Sequence, residues 1–424
     1  MQAQSAAKRK PSPLGWLVAV PISLIISAAV LVNGLSSLAA SSAPRLALRF
    51  NPLLADARVT EVVEQLQSQN ESETLKPFIR TGLELAPLDA RFYSLLGIAE
   101  ERSGNQDVAE RLYSRALTLL PTEIHALTRM AFLDVLQTRP VDAAKRLEII
   151  ARRWPNRWKT VEPLLPAILS DPQAYALLVD RFATEKSLRN FLIASLIQQK
   201  EWMASAYTVL LEWHERGVPE LADLINRLTT AFIGQQLYAN AYLLFLLTRG
   251  QDTGAEVGYI YNGGFQLPLS GNPFDWRIRP QTGVSFELNT LANIAGESLA
   301  STPEQSLSIR FLDTPIQFNN IEQLIRLAPG KYNFTVDYSA LDLKTPKPLQ
   351  LVMRCVGDNR SLASMSFEQG SIEERTDSIP VQVPTQDCAL QRILVFNAQM
   401  AMSWRNRYSG TLRLKQVAVT RAVD

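Results

Sequence analysis

The stretch MSWRNRYSG (Met402–Gly410) sets two aromatic rings, Trp404 and Tyr408, four residues apart, with Arg405, Asn406 and Arg407 between them. Aromatic faces stack on C–H-rich sugar rings, and planar polar groups bind hydroxyls, so this combination suits a glycan contact. A second group, Phe274, Asp275, Trp276 and Arg277, with Asn289 further on, has the same ingredients. For Phe274 and Trp276, a place in a core or at a sheet edge competes with that reading. The residues expected to meet a glycan are therefore Trp404, Tyr408, Arg405 and Trp276.

Catalytic chemistry has few candidates. The chain holds two histidines, His125 and His214, and neither stands in a glycine-rich or acidic setting. No Gly-x-Ser-x-Gly elbow, phosphate loop or His-Glu-x-x-His helix is present. Glu373 and Glu374 fall in EQGSIEERTDS, which reads as a solvated polar loop. A glycosidase could still draw two carboxylates from distant strands, so a glycan hydrolase stays open as a third reading, behind a non-catalytic role. No cofactor is expected, and two distant histidines with two cysteines make no metal site. No carboxylate cluster assigns a calcium ion.

The 43 basic and 41 acidic residues leave a net charge of +2 and are interspersed. A nucleic-acid partner would call for a clustered basic face. Cys355 and Cys388 are the two cysteines. In an exported chain they can bridge, closing a loop of about thirty residues that stabilises by ~3–4 kcal/mol. In a reduced compartment they would be two buried thiols.

Compartment is set at the N-terminus. Lys8, Arg9 and Lys10 precede LGWLVAVPISLIISAAVLVNGL (Leu14–Leu35), and no further charge occurs before Arg45. The run is long enough to cross a bilayer as a helix, and its basic flank holds that end in the cytoplasm. The small residues of SSLAASSAP (Ser36–Pro44) leave a cleaved signal peptide as the alternative.

The region that follows repeats. Pro87, Pro121 and Pro155 stand 34 residues apart, and Pro52 precedes Pro87 by 35. A fixed period of this size signals stacked helical hairpins. Within one unit, Tyr93, Leu96 and Gly97 share the face of one helix, Ala109, Tyr113 and Ala116 that of the next, and SGNQ (Ser103–Gln106) is the turn. Gly97 and Ala109 let the two helices approach closely. The next unit keeps Met130, Ala131, Ala143 and Leu147; the preceding one keeps Leu75, Ile79 and Gly82 more weakly. This pattern resembles the tetratricopeptide repeat. The period slips after Pro155, then hairpins resume around Ala206 and Ala241. The resemblance implies a solenoid over residues 51–250 whose concave groove, lined by Arg91, Ser94, Glu101, Arg102, His125 and Thr128, docks a protein partner.

From Tyr261 the pattern changes. YNGGFQLPLSGNPFDWRI (Tyr261–Ile278) is rich in Gly, Pro and aromatics, and VSFELN, SLSIRFL, KYNFTVDYS, PLQLVMRCV, LQRILVF and TLRLKQVAV then alternate with period two. Such strands separated by turns predict an antiparallel β-sandwich. PFDWRI, APGKYNFTVDYSA and GTLRLKQVAVT resemble galactose-binding-like jelly rolls, the class that holds many carbohydrate-binding modules. The expected order is a cytoplasmic tail (1–13), a membrane helix (14–36), a linker (37–50), the solenoid (51–250), a linker (251–258) and the jelly roll (259–424). By resemblance, the combination implies a bacterial inner-membrane accessory protein with its bulk in the periplasm. It would meet a protein partner and a polysaccharide during exopolysaccharide or envelope polysaccharide assembly or export. The runner-up is a structural scaffold whose two modules both bind proteins.

Overall fold

A computed structural model describes residues 13–68, 72–249, 258–289, 305–397 and 406–422. The chain forms two compact units, Met1–Leu188 and Arg189–Asp424.

The first unit is helical: α1 (Pro13–Ala39), α2 (Pro44–Phe50), α3 (Ala55–Gln67), α4 (Ser72–Leu85), α5 (Ala90–Arg102), α6 (Gln106–Leu119), α7 (Ile124–Leu136), α8 (Pro140–Arg153), α9 (Trp158–Val161), α10 (Leu165–Ser170) and α11 (Pro172–Ala183). The stretch 37–50, expected as a linker, carries the end of α1 and all of α2. Asp89 and Glu123 cap α5 and α7, their carboxylates accepting from the backbone N–H groups of Arg91 and Ala126. Such caps satisfy donors that the first turn leaves free. Close approach inside the hairpins follows from small residues. A Cβ on Gly97 would stand 2.5 Å from the Tyr113 ring, and one on Gly82 would stand 2.4 Å from Phe92. Ala109, Tyr113 and Ala116 are fully buried there. Pro155–Arg157 and Glu162–Leu164 are short 3-10 turns around α9, where the prolines interrupt the period.

The second unit starts within α12 (Lys186–Leu196) and continues with α13 (Met203–Glu215), α14 (Ala222–Gly234) and α15 (Tyr238–Leu247). Among the described residues, ten strands follow: β1 (Arg277–Ile278), β2 (Val284–Asn289), β3 (Ser306–Pro315), β4 (Ile321–Ile325), β5 (Gly330–Lys344), β6 (Leu349–Cys355), β7 (Ser361–Ser366), β8 (Gly370–Val383), β9 (Gln391–Asn397) and β10 (Arg407–Arg421). They form two antiparallel five-stranded sheets. One, sheet A, has the order β1-β4-β9-β6-β7; the other, sheet B, has the order β2-β3-β10-β5-β8. The interleaved order is that of a jelly-roll sandwich.

The inner faces fill the core by strict alternation. Leu307, Ile309 and Phe311 of β3 and Tyr332, Phe334, Val336 and Tyr338 of β5 meet Leu349, Leu351 and Met353 of β6 and Ile393 and Val395 of β9. Cys355, at the end of β6, is disulfide-bonded to Cys388. EQGSIEERTDS is not a loop: most of it belongs to β8, which pairs along β5 and carries Pro380. As an outer strand, β8 buries little, so its sequence lacks the apolar alternation that marks the others.

Candidate binding faces

The segment Tyr261–Ile278 joins the helices of the second unit to its sandwich. Phe274 is buried against Tyr242 and Phe245 of α15, with ring centroids 5.1 and 5.6 Å away, and Phe245 meets Tyr261 at 5.0 Å. Asn272 donates to the Asn226 side chain of α14 at 2.9 Å, and Asn226 donates to the Ser270 carbonyl at 3.0 Å. Asp275 is fully buried and accepts from the Ser270 N–H and hydroxyl and from the Trp276 N–H, at 2.7–2.8 Å. Burial pushes its pKa up, against the pull of those hydrogen bonds.

Trp276 is fully buried, lies 5.3 Å from Phe265, and donates its indole N–H to the Asn262 carbonyl at 3.0 Å. It is a core residue and offers no face to a sugar. Tyr408 is corrected in the same way. It lies in β10 with 1% of its surface exposed, its hydroxyl accepting from Asn397 at 2.9 Å and donating to the Lys347 carbonyl at 3.2 Å. Odd and even positions of a strand point to opposite faces, and Tyr408 falls on the inner one. Trp404 and Arg405 lie outside the described residues. Arg277 pairs with Glu322 at 4.0 Å, and Arg407 with Asp313 at 3.1 Å.

Sequence reasoning named none of the residues at the centre of the outer face of sheet B, where the registers build two rows across four strands. Ser285, Arg310, Thr411 and Leu341 form one row; Glu287, Ser308, Arg413 and Ser339 form the other. All of these but Ser339, together with Asp342, Lys344 and Ser409, line a depression of about 680 Å³. Arg310, Arg413 and Lys344 are exposed and have no ion-pair partner among the described residues. Gly410 sits at the β-bulge beneath them with φ +89°, and a Cβ there would come 2.3 Å from the Asp342 carbonyl oxygen.

Beyond Leu414, β10 loses β3 as a neighbour, and the Gly263 carbonyl accepts from the Val417 N–H at 2.9 Å instead. A second depression of about 740 Å³ opens here, lined among others by Tyr259, Gln266, Asp337, Glu374, Lys415 and Gln416. Tyr259 is 38% exposed, its ring edge-on to Tyr332 at 5.4 Å. The alternation of VSFELN, SLSIRFL and TLRLKQVAV already marks these outward polar positions. The neighbour order that brings them together is not written in any one of those segments.

In the first unit the six groove residues divide. His125 and Thr128 of α7 line a depression of about 330 Å³ with Ile98, Arg129, Phe132 and Arg157. Glu101 approaches it, lying 3.7 Å from Arg129 and accepting from the Tyr113 hydroxyl at 2.5 Å. Burial lowers the pKa of His125, favouring the neutral ring, and Glu123 opposes that shift. Arg91 is held at the start of α5 by Asp89 and Asp56, at 2.7 and 2.8 Å. Arg102 donates to the Leu66 carbonyl at 2.8 Å. Ser94 is a correction: it is fully buried on the packed face of α5, and its hydroxyl donates to the Arg91 carbonyl. Among the described residues, no group of three His, Cys, Asp or Glu could hold a metal ion.

No family model and no curated protein matches the chain. Among solved structures, similarity is found to one described as CBM4 structure and function, at 16% identity over 38% of this chain and 99% of that one, with a TM-score of 0.27. TmCBM61 in complex with β-1,4-galactotriose is similar at 14% identity over 39% and 99%, with a TM-score of 0.25. Pseudomonas aeruginosa pilF is similar at 19% identity over 45% and 89%, with a TM-score of 0.27.

Proposed function

We propose that this chain is a non-catalytic, membrane-anchored accessory protein. Its helical repeats, read as tetratricopeptide-like, dock a protein partner, and its sandwich binds a glycan, in bacterial exopolysaccharide or envelope polysaccharide assembly or export. The observation that carries the glycan half is the outer face of sheet B. Guanidinium groups without ion-pair partners among the described residues, set among serine and threonine hydroxyls and beside the carboxylates of Glu287 and Asp342, suit a polyhydroxylated ligand with acidic groups, because charge-assisted hydrogen bonds are the strong ones. Further along the same strand, the exposed Tyr259 offers a ring beside the amides of Gln266 and Gln416, the combination that sugar rings call for.

The anchor half draws on α1, whose Val20–Ala39 portion is long and apolar enough to cross a membrane. Its last turns are built into the helical unit: Ser36 and, just past the helix, Ala40 are buried, and Asn33 accepts from Asn51 at 2.9 Å. A helix packed into the fold it precedes favours retention over removal as a signal peptide. The protein-docking half draws on the depression around His125, Arg129 and Arg157.

Titration of the full chain in nanodiscs with acidic and neutral polysaccharides tests the glycan half. Binding of the acidic set, lost in Arg310→Ala/Arg413→Ala, supports it; no binding of either set removes it. A second reading, a scaffold that binds only proteins, is favoured by one feature. Among the described residues that line the arginine end, no aromatic ring faces outward, Phe311 belonging to the inner core, so that end suits an acidic protein surface as well. Retention of an acidic protein partner by this face without polysaccharide would select it. Polysaccharide cleavage in a zymogram would overturn the non-catalytic assignment.

A further inference from the structure

The short helix α2 and the turns around it expose large apolar side chains where a soluble fold would bury them. Leu46 is 48% exposed, Phe50 62% and Leu53 68%; on the last turns of α1, Leu35 is 64% and Leu38 78% exposed. Leu46 and Phe50 are four residues apart, so they form one stripe along α2. Arg45 and Arg49, also four apart and exposed, form the stripe beside it. Arg45 reaches Glu61 at 2.8 Å, while Arg49 has no ion-pair partner among the described residues. The opposite side of α2 is committed to the fold, since Pro44 and Ala47 are buried and Ala47 joins Ala40 and Ala57 in a small core.

Geometry fixes what lies next to this patch. At ~1.5 Å per residue, the 27 residues of α1 measure ~40 Å, more than the ~30 Å of a bilayer's hydrocarbon core, so its last turns reach the boundary of that core. Asn33, on those turns, is polar and bonded to Asn51 at the end of α2. No free linker separates the span from the helical unit. The place where α1 leaves the hydrocarbon is thus the place where α2 begins to pack.

We infer that α2 lies in the interface of the bilayer that α1 crosses, with Leu46, Phe50 and Leu53 inserted among the upper acyl chains and Arg45 and Arg49 at the lipid phosphates. Amphipathic segments of this kind bury their apolar face ~5–10 Å into the headgroup boundary, and cationic side chains there gain from anionic lipid. The helical unit then rests on the membrane in a fixed attitude. This inference rests on α1 being a retained anchor.

The test uses the full chain in phosphatidylcholine/phosphatidylglycerol vesicles. An environment-sensitive fluorophore is attached at Leu46→Cys, Phe50→Cys or Leu53→Cys, and at Leu88→Cys as the water-exposed control. The native cysteines are bonded to each other and do not compete for label. Expected are blue-shifted emission and about fivefold less iodide quenching at positions 46, 50 and 53 than at 88, as burial at that depth requires. A chain that leaves the vesicles in alkaline carbonate defeats the anchor reading and this inference together. A chain that stays embedded while labels at 46 and 50 quench like the label at 88 defeats this inference alone.

Discussion

The outer faces of the two sheets of the sandwich differ in how far their charges are matched. On sheet A, Glu322 is 8% exposed and gathers three arginines: Arg277 at 4.0 Å, Arg392 at 3.7 Å, and Arg279 in a direct contact. Its apolar outer residues are covered as well, Val352 at 1% exposure and Leu324 at 8%, and the Arg354 guanidinium lies 4.6 Å over the Phe396 ring. On sheet B, Lys415 pairs with Glu374 at 3.2 Å and Arg407 with Asp313 at 3.1 Å, whereas Arg310, Arg413 and Lys344 stand in the open without ion-pair partners among the described residues, in a depression that the carboxylates of Glu287 and Asp342 also line. Matched charge marks a face whose interactions are internal. Unmatched cations spaced by strand registers leave a face with charge to offer, which is what the proposed glycan contact uses.

The largest expected effect concerns the bridge at the end of β6. Cys388→Ser opens a loop with a sequence separation of 33, and urea unfolding is expected to lose ~3–4 kcal/mol. Polysaccharide affinity of the molecules that remain folded should not change; a parallel loss of affinity would erase the distinction between the faces. Next comes the double variant Arg310→Ala/Arg413→Ala. Affinity for acidic polysaccharide should fall about 100-fold, at ~1.5 kcal/mol per charge-assisted contact, with stability within ~0.5 kcal/mol of the parent. Unchanged affinity by calorimetry would move the ligand elsewhere. Glu322→Gln should do the reverse, costing ~1–2 kcal/mol of stability by leaving three guanidinium groups unmatched, with no change in affinity.

The smallest expected effect extends the comparison to the helical unit. Burial holds the pKa of His125 below its ordinary value. The unfolded chain therefore takes up its proton first as the pH drops. The contribution of neutral His125 is present above about pH 6.5 and is lost as the pH falls through the lower, folded value. Urea midpoints measured against pH should converge between the parent and His125→Asn on the acid side and separate above it. A constant separation would refute the assignment.

Much of this architecture can be read from the residues themselves. Gly97, Ala109 and Tyr113 mark a close helix pair because a Cβ and a ring cannot share one place. The alternation of KYNFTVDYS and PLQLVMRCV marks strands with one buried face. Other elements evade such reading for definable reasons. In β4, IEQLI, all five residues are buried, and Gln323 satisfies the carbonyls of Tyr261 and Phe274. A polar residue buried by hydrogen bonding breaks the hydropathy pattern that would announce the strand. SLASMS in β7 is short and made largely of small residues, and β8 is polar because it lies at the edge. Two of the four residues expected to meet a glycan fall in the core for a related reason. Aromatic side chains advertise sugar contact, yet Trp276 and Tyr408 belong to the core, while serines, threonines and arginines from β2, β3, β10 and β5 assemble the open face through a strand order that local sequence does not encode.

The outer position of β8 has a further consequence. A sheet ending in a free strand can recruit another chain and grow into a fibril. Here that border carries Glu373, Glu374 and Arg375, all exposed, and Pro380, a residue that cannot donate a ladder hydrogen bond. The same polarity that hides the strand from a hydropathy reading protects the sandwich from self-aggregation where copies are crowded together.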